Sequence, residues 1–227
     1  MSSRKLFRII VPAHPHKNVF SAIASRMTSL GPVIIATSAN KSFIDLDVEV
    51  IDENGYHGPR DGNGRPDHNA LQAKQSADFV GFYCSLTSTM PRVFELAKFY
   101  KTAGAVTIAG GDHVAHMTEE ALDSGIDIVV RGEGEEVIVK IIAALLAGSG
   151  LGEINGISFL NNTGLTRHSR ESGNPEKINE IISNGPERIE IGCLDTPPRP
   201  DFGLVRYAKK LQFYPISRTR GCSRRCE

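Results

Sequence analysis

The chain has 227 residues, 40% of them hydrophobic and 23% charged, with 26 basic residues against 26 acidic ones. This length suits one core of roughly 150 residues plus an appendage, and the balanced charge removes the electrostatic basis for nucleic-acid or anionic-membrane binding. The longest apolar runs, Val137–Val139 and Ile141–Ala147, fall well short of the ~18 residues of a bilayer span, and Pro12 ends the first run before a signal-peptide core forms, so a cytoplasmic protein is expected.

Phe7–Val11 is a short apolar strand closed by Pro12. An amphipathic segment follows (Val19, Phe20, Ile23, Met27, Leu30). Pro32–Asn40 then reads as strand from its β-branched content and as helix from its proline-led start, and composition leaves both open. Val48–Ile51 is the second clear strand, ending at Asp52. Residues 52–69 are so rich in Gly, Pro, Asn and Asp that they predict a loop at its carboxyl end. Phe79–Cys84 is followed by Ser85-Leu-Thr, and Pro91 then opens a helix carrying Val93, Phe94, Leu96, Ala97 and Tyr100 that stops at Gly104. Val106–Ala109 ends in Gly110-Gly111, and Ile128–Val130 ends in Arg131-Gly132. Val137, Ile138, Ile141, Ile142, Leu145 and Leu146 then form a wide apolar stripe on one helix. Strands alternating with helices predict a parallel sheet covered on both faces.

Beyond Gly150 the rhythm changes. Ile157-Ser-Phe-Leu160 reads as a strand entering a hairpin turn at Asn161-Asn-Thr-Gly164, and residues 166–187 read as a polar, exposed insertion without core packing. Within it, His168-Ser-Arg-Glu-Ser-Gly-Asn-Pro175 resembles peptides encoded by dispersed bacterial DNA repeats, tolerated only in exposed loops. Proline fixes residues 195–202 as an extended linker.

In a doubly wound sheet the ligand crevice lies at the carboxyl ends of the strands. The loops there are His14-Pro-His16, Ser85-Leu-Thr-Ser-Thr89, Gly110-Gly-Asp-His113 and Gly132-Glu-Gly-Glu135. Paired glycines let a ligand approach the backbone, and the Ser/Thr cluster offers short donors and acceptors to an amide-rich or phosphate-bearing ligand. A nicotinamide-binding Rossmann reductase would need Gly-x-Gly-x-x-Gly directly after the first strand, where Val11-Pro-Ala-His-Pro-His16 stands instead. Gly132-Glu-Gly-Glu135 puts carboxylates where a pyrophosphate would sit, and the Gly-Lys-Ser/Thr of a P-loop is missing.

Gly110-Gly-Asp-His113, Met117-Thr-Glu-Glu-Ala-Leu122 and Asp127-Ile-Val-Val-Arg-Gly-Glu-Gly-Glu-Glu136 together resemble the second half of the cobalamin-binding domain of cobalamin-dependent radical SAM proteins. Val48–Asp52 and Ser85–Thr89 fit its earlier strand ends, and the likeness covers roughly residues 5–160, one such domain. It implies an α/β, Rossmann-like or flavodoxin-like, doubly wound sheet with Pro32–Asn40 helical. It also implies cobalamin as ligand, contacted by Ser85, Leu86, Thr87, Gly110, Gly111 and His113. The base-off type of cobalamin domain carries Asp-x-His-x-x-Gly in its first loop. Here that loop has His14 and His16 without the Asp or the Gly, so neither is expected to ligate cobalt.

Of four cysteines, at 84, 193, 222 and 226, two lie in the last six residues, too few and too uneven for a disulfide scaffold. Ile216-Ser-Arg-Thr-Arg-Gly-Cys222-Ser-Arg-Arg-Cys226 resembles the first strand and cluster loop, Cys-x-x-x-Cys-x-x-Cys, of a radical SAM barrel. Cys222 and Cys226 would then be iron ligands of a 4Fe–4S cluster that binds S-adenosylmethionine in a full-length protein. The chain stops at Glu227, two residues short of the third cysteine. The expectation is therefore a cobalamin-binding domain at 1–160, a hairpin, insertion and linker at 161–211, and the start of a truncated radical SAM domain at 212–227, inactive by itself. The alternative is a Rossmann-like interaction or nucleotide-binding module without cobalamin. The substrate is not encoded in these residues.

Overall fold

The computed structural model of the protein describes residues 4–15, 19–161, 180–185 and 198–217. Its strands are β1 (Lys5–Val11), β2 (Leu46–Asp52), β3 (Phe79–Tyr83), β4 (Val106–Gly110), β5 (Ile128–Val130), β6 (Ile157–Leu160) and β7 (Ile181–Ser183). The helices are α1 (Val19–Ala24), α2 (Leu30–Ser42), α3 (His68–Lys74), α4 (Met90–Thr102), α5 (Asp112–His116), α6 (Thr118–Asp123) and α7 (Gly134–Ala147). One sheet runs β2-β1-β3-β4-β5-β6-β7. The first five strands pair in parallel, whereas β6 is antiparallel to β5 and β7 antiparallel to β6. The order 2-1-3-4-5 is the flavodoxin-like winding, with its topological switch between β1 and β3. The doubly wound α/β fold expected from the sequence is present.

Alternation along each strand sorts the core onto two faces. Phe7, Ile9, Ile108 and Ile128 point to one face and pack with Val33, Ala36 and Ala39 of α2 and with Val137, Ile138, Ile141 and Ile142 of α7. Leu6, Ile10, Val80, Phe82 and Val129 point the other way, against Val93, Leu96, Ala97 and Tyr100 of α4, Val114 of α5 and Leu122 of α6. Pro32–Asn40 lies within α2, a helix of small and apolar residues buried on nearly every side, between the sheet, α7 and the segment that begins at Asp201. Helix ends follow local chemistry: Pro91 sits in the first turn of α4, and Gly148, at φ 65°, ends α7 with the Ser149 N–H on the Ala144 carbonyl.

Three stretches depart from the sequence expectation. The predicted loop 52–69 already contains the start of α3, capped by the Asp67 side chain accepting from the Ala70 N–H at 3.0 Å. The predicted insertion 166–187 contains β7. Ser158 and Ser183 hydroxyls meet at 2.8 Å across the pair, and the Asn184 amide donates to the Leu151 and Ile154 carbonyls at 2.9 and 2.7 Å. Two isoleucines and a ladder suffice to dock a strand in an otherwise polar segment. The antiparallel return of β6 is thus at 181–183, and most of the expected turn at 161–164 and of the repeat-like peptide 168–175 lies outside the described residues.

The third departure is the linker. Asp201 N–H donates to Thr37 Oγ1 at 2.9 Å, Val205 is buried and bridges Val50, and the Gln212 and Phe213 N–H groups both donate to the Arg26 carbonyl, at 2.7 and 3.2 Å. Residues 201–213 therefore run along the edge strand β2 and up to the loop between α1 and α2. An open edge is covered in this way. No helix of the described residues is long and apolar enough to cross a membrane.

Candidate functional site

At the switch point a cavity of about 200 Å³ opens on the α2/α7 face. Its walls come from Phe7 and Ile9 of β1, Gly81 of β3, Gly110 of β4, Ile35 of α2 and Ile138 of α7. The slot exists because side chains are missing where they would fill it. A Cβ at Gly134 would lie 2.7 Å from Ile35 Cδ1, and one at Gly81 would lie 3.2 Å from the Phe7 ring. Gly111 is held at φ 130°, and a Cβ there would stand 2.7 Å from the Cys84 carbonyl carbon. No other residue adopts that conformation without strain. An engineered apolar cavity of about 150 Å³ accommodates benzene, so this one has room for a flat bicyclic ring.

The structure distributes the sequence-predicted residues over two sides of one rim. Gly110 and Gly111 line the cavity. Ser85, Leu86, Thr87 and His113 do not; they form the adjoining rim over β3 and β4, with Leu86 and Thr87 exposed. The two sides are joined by backbone: Cys84 N–H donates to the Gly110 carbonyl at 2.8 Å and His113 N–H to the Cys84 carbonyl at 3.0 Å. Thr87 Oγ1 lies 3.0 Å from His113 Nδ1, and His113 Nε2 lies 3.1 Å from Glu120 Oε2. Cys222 and Cys226 fall outside the described residues, as does His16. Among the described residues no group of three or more His, Cys, Asp or Glu side chains is placed to hold a metal.

Sequence reasoning missed a clamp on the loop after β1. Ala13 N–H donates to Glu53 Oε2 at 2.9 Å, His14 N–H to Asn54 Oδ1 at 3.0 Å, and Asn54 Nδ2 to the Pro12 carbonyl at 3.2 Å. Three consecutive residues are thus fixed by the Asp52-Glu53-Asn54 turn. Behind Glu53 stands a buried polar network. Arg92 bonds both its oxygens, His68 Nε2 lies 3.1 Å from Oε1, and the Tyr100 hydroxyl lies 2.7 Å from His68 Nδ1. Arg8, 1% exposed, donates to Glu49 at 2.7 Å, to Gln72 at 2.6 Å and to the Tyr100 oxygen at 3.3 Å. Arg206, from the covering tail, pairs with the other Glu49 oxygen.

Burial by itself would raise the Glu53 carboxyl, but hydrogen bonds from His68 and Arg92, with the Arg92 charge, outweigh it and hold it at about 2. Burial pushes Asp52 upward instead, against the hydrogen bonds from the Asn54 backbone and side chain. It also lifts the Tyr100 phenol to about 12. The sequence did carry a signal for this network. Arg8 and Glu49 interrupt two apolar strands and are register partners across β1 and β2. Opposite charges in a sheet covered on both faces must find each other. Gly81, in the middle of an apolar strand, was the matching signal for the slot.

The family model of the B12 binding domain matches residues 17–142, more than half of the chain, so the chain belongs to the B12-binding domain family. An uncharacterised methyltransferase of Pyrococcus horikoshii is 26% identical over 98% of this chain and 45% of its own length. Among solved structures, the cobalamin-dependent S-adenosylmethionine radical enzyme OxsB with aqua-cobalamin bound shares the fold at a TM-score of 0.61 and 15% identity, over 86% of this chain and 24% of that one. The radical S-adenosylmethionine methyltransferase TsrM of Kitasatospora setae, with cobalamin and an iron–sulfur cluster bound, does so at 0.52 and 19% identity, over 71% and 30%. The chain spans less than half the length of these relatives. It is a B12-binding domain resembling those of cobalamin-dependent radical SAM enzymes. The glycine-cleared slot fits that group: it is a space for a flat aromatic ring beside a rim of short polar side chains.

Proposed function

We propose that the domain binds cobalamin with the corrin over the Ser85-Leu86-Thr87 and Gly110-Gly111 rim and the nucleotide base in the slot. The observation that carries this reading is the apolar cavity at the β1/β3 switch, kept open by Gly81, Gly110 and Gly134. Cobalamin, when bound, supplies methyl-group chemistry at cobalt. The residues here exclude water from the base, position the corrin amides and hold the first loop. His14 is fixed through its backbone by Asn54, and neither it nor His16 is expected to ligate cobalt, so cob(II)alamin bound here should show no superhyperfine splitting from a protein imidazole.

Titration with hydroxocobalamin tests the placement. A Cβ at Gly110 meets nothing closer than Val130 at 3.7 Å, so Gly110→Val should fold, fill the slot and weaken cobalamin binding at least tenfold. Unchanged affinity in a folded variant would overturn the placement.

The second part of the reading concerns the remainder of the protein. Residues 212–227 begin a radical SAM domain whose cluster loop includes Cys222 and Cys226, and the whole enzyme works in the cytoplasm. The likeness to S-adenosylmethionine radical enzymes, and the path of residues 201–213 along β2 to the loop between α1 and α2, support this. A chain extended through a third cysteine and a barrel should show iron–sulfur absorption after anaerobic reconstitution, lost in Cys222→Ala or Cys226→Ala. One bound zinc and no iron would refute it.

A further inference from the structure

The fold contains the same three-group relay twice, once satisfied and once left open. In the buried copy the Tyr100 hydroxyl, the His68 ring and the Glu53 carboxylate stand in line at 2.7 and 3.1 Å. In the second, Thr87, His113 and Glu120 stand in line at 3.0 and 3.1 Å, with the His113 side chain 8% exposed. A carboxylate only accepts, so the imidazole proton lies on Nε2 in both. For a neutral ring, Nδ1 is then an acceptor, and the hydroxyl must spend its proton on it. What remains of the hydroxyl is an oxygen that accepts. The buried copy shows the consequence: the Tyr100 oxygen receives an N–H from Arg8. Thr87 is exposed, on the rim whose backbone is joined to Gly110 through Cys84, so its oxygen has solvent rather than an arginine beside it.

We infer that Thr87 is a specificity-determining acceptor, oriented by His113 and Glu120, that pairs with the N–H of a primary amide on the ligand and rejects a carboxylate or phosphate oxygen at the same place. The inference rests on the cobalamin reading and deepens it: the corrin carries a ring of primary amides, and this relay would read one of them as amide rather than acid. An acceptor facing a carboxylate oxygen loses the bond and adds repulsion, which is why sites built on one polarity discriminate strongly.

Two measurements test it on the full 227-residue chain. The first needs no ligand: the ¹⁵N shift of His113 Nδ1 above pH 7 should be that of an unprotonated ring nitrogen, and a protonated Nδ1 would overturn the proposal. The second compares the affinity of hydroxocobalamin with that of its side-chain monocarboxylic acids. The wild type should bind at least one of these acids tenfold or more weakly. Thr87→Val should weaken hydroxocobalamin about five- to tenfold and reduce that discrimination, Thr87→Ser should retain both, and Glu120→Gln, which no longer dictates the tautomer, should reduce the discrimination while cobalamin still binds. If Thr87→Val binds cobalamin and every acid as the wild type does, the relay reads no amide and the cobalamin reading stands without it. If the folded wild type binds no cobalamin at all, both fall.

Discussion

The two faces of the sheet solve opposite problems with adjacent residues of the same strands. On β1, Phe7 and Ile9 face α2 and α7 and border a cavity, whereas Arg8 between them faces α3 and α4 and holds a network of ions and hydroxyls. On β3, Gly81 leaves space on one side while Val80 and Phe82 fill the other. A ligand space inside a small domain removes packing that must be supplied elsewhere. Here the opposite face packs Leu6, Ile10, Val80, Phe82 and Val129 against α4, α5 and α6, and its polar groups reach around the carboxyl end to hold Pro12, Ala13 and His14. One face borders a cavity; the other holds the loop after β1.

The largest effect should come from breaking the network at its centre. Arg8→Met leaves Glu49 with Arg206 alone and removes the donors to Gln72 and Tyr100, so stability should fall by about 3–5 kcal/mol in urea denaturation. Replacing Glu49 by Leu in the same chain should recover a good part of that loss, since an apolar pair of similar volume leaves no charge uncompensated. If the single variant loses less than about 1 kcal/mol, the two faces are not mechanically different in the way the geometry says.

Next in size is the pH dependence of Glu53. Its carboxyl lies at about 2 in the folded chain against an ordinary 4.5. Its contribution is therefore full above pH 4.5 and is lost as pH falls toward 2, roughly 3 kcal/mol over that window. Asp52 works with the opposite sign, because burial raises its carboxyl and ionisation costs stability. Comparison with Glu53→Gln isolates the first. The stability gap between wild type and variant should be widest near neutrality and close as pH drops from 4.5 to 2. A gap that does not change over this range would contradict the clamp's ionic character.

These effects also mark where the sequence was readable. The strands of the parallel sheet, the stripe of α7 and the glycines at the strand ends are local patterns, and each stands where its residues predicted. Helix α3 was hidden because seven residues beside a Gly- and Pro-rich loop give too short a period, leaving only the Asp67 cap as a signal. Strand β7 was hidden because its partner lies more than twenty residues upstream, beyond any local signal. The clamp was hidden because Glu53 acts on Ala13 across forty positions. Thr87 and His113 were legible as rim residues one by one, whereas Glu120, 3.1 Å from His113 Nε2, was not.

A smaller change probes the open face. Gly81→Ala puts a methyl group 3.2 Å from the Phe7 ring, which must give by a few tenths of an ångström. Stability should change by no more than about 1 kcal/mol, measured by denaturation, while hydroxocobalamin affinity drops several-fold because the slot narrows at its floor. Equal losses of both would mean that Gly81 serves packing rather than ligand space.

The smallest effect is expected at Cys84, on the filled face directly behind the Gly111 approach. Burial pushes this thiol up to about 12, and Sγ sits 3.5 Å from the Phe82 carbonyl oxygen among Ile10, Met90 and Val114. A thiolate is the reactive form, so a thiol reagent should reach Cys84 only through opening of the sheet. Followed by mass spectrometry of the Cys84 peptide, alkylation should be slow in native buffer and accelerate with urea in step with global unfolding. Cys84→Ala should cost only about 1 kcal/mol, since one small atom is removed from a closely packed site. Rapid native labelling would show that the face behind the glycine pair opens locally, and the rim over the slot would then be a moving part rather than a fixed one.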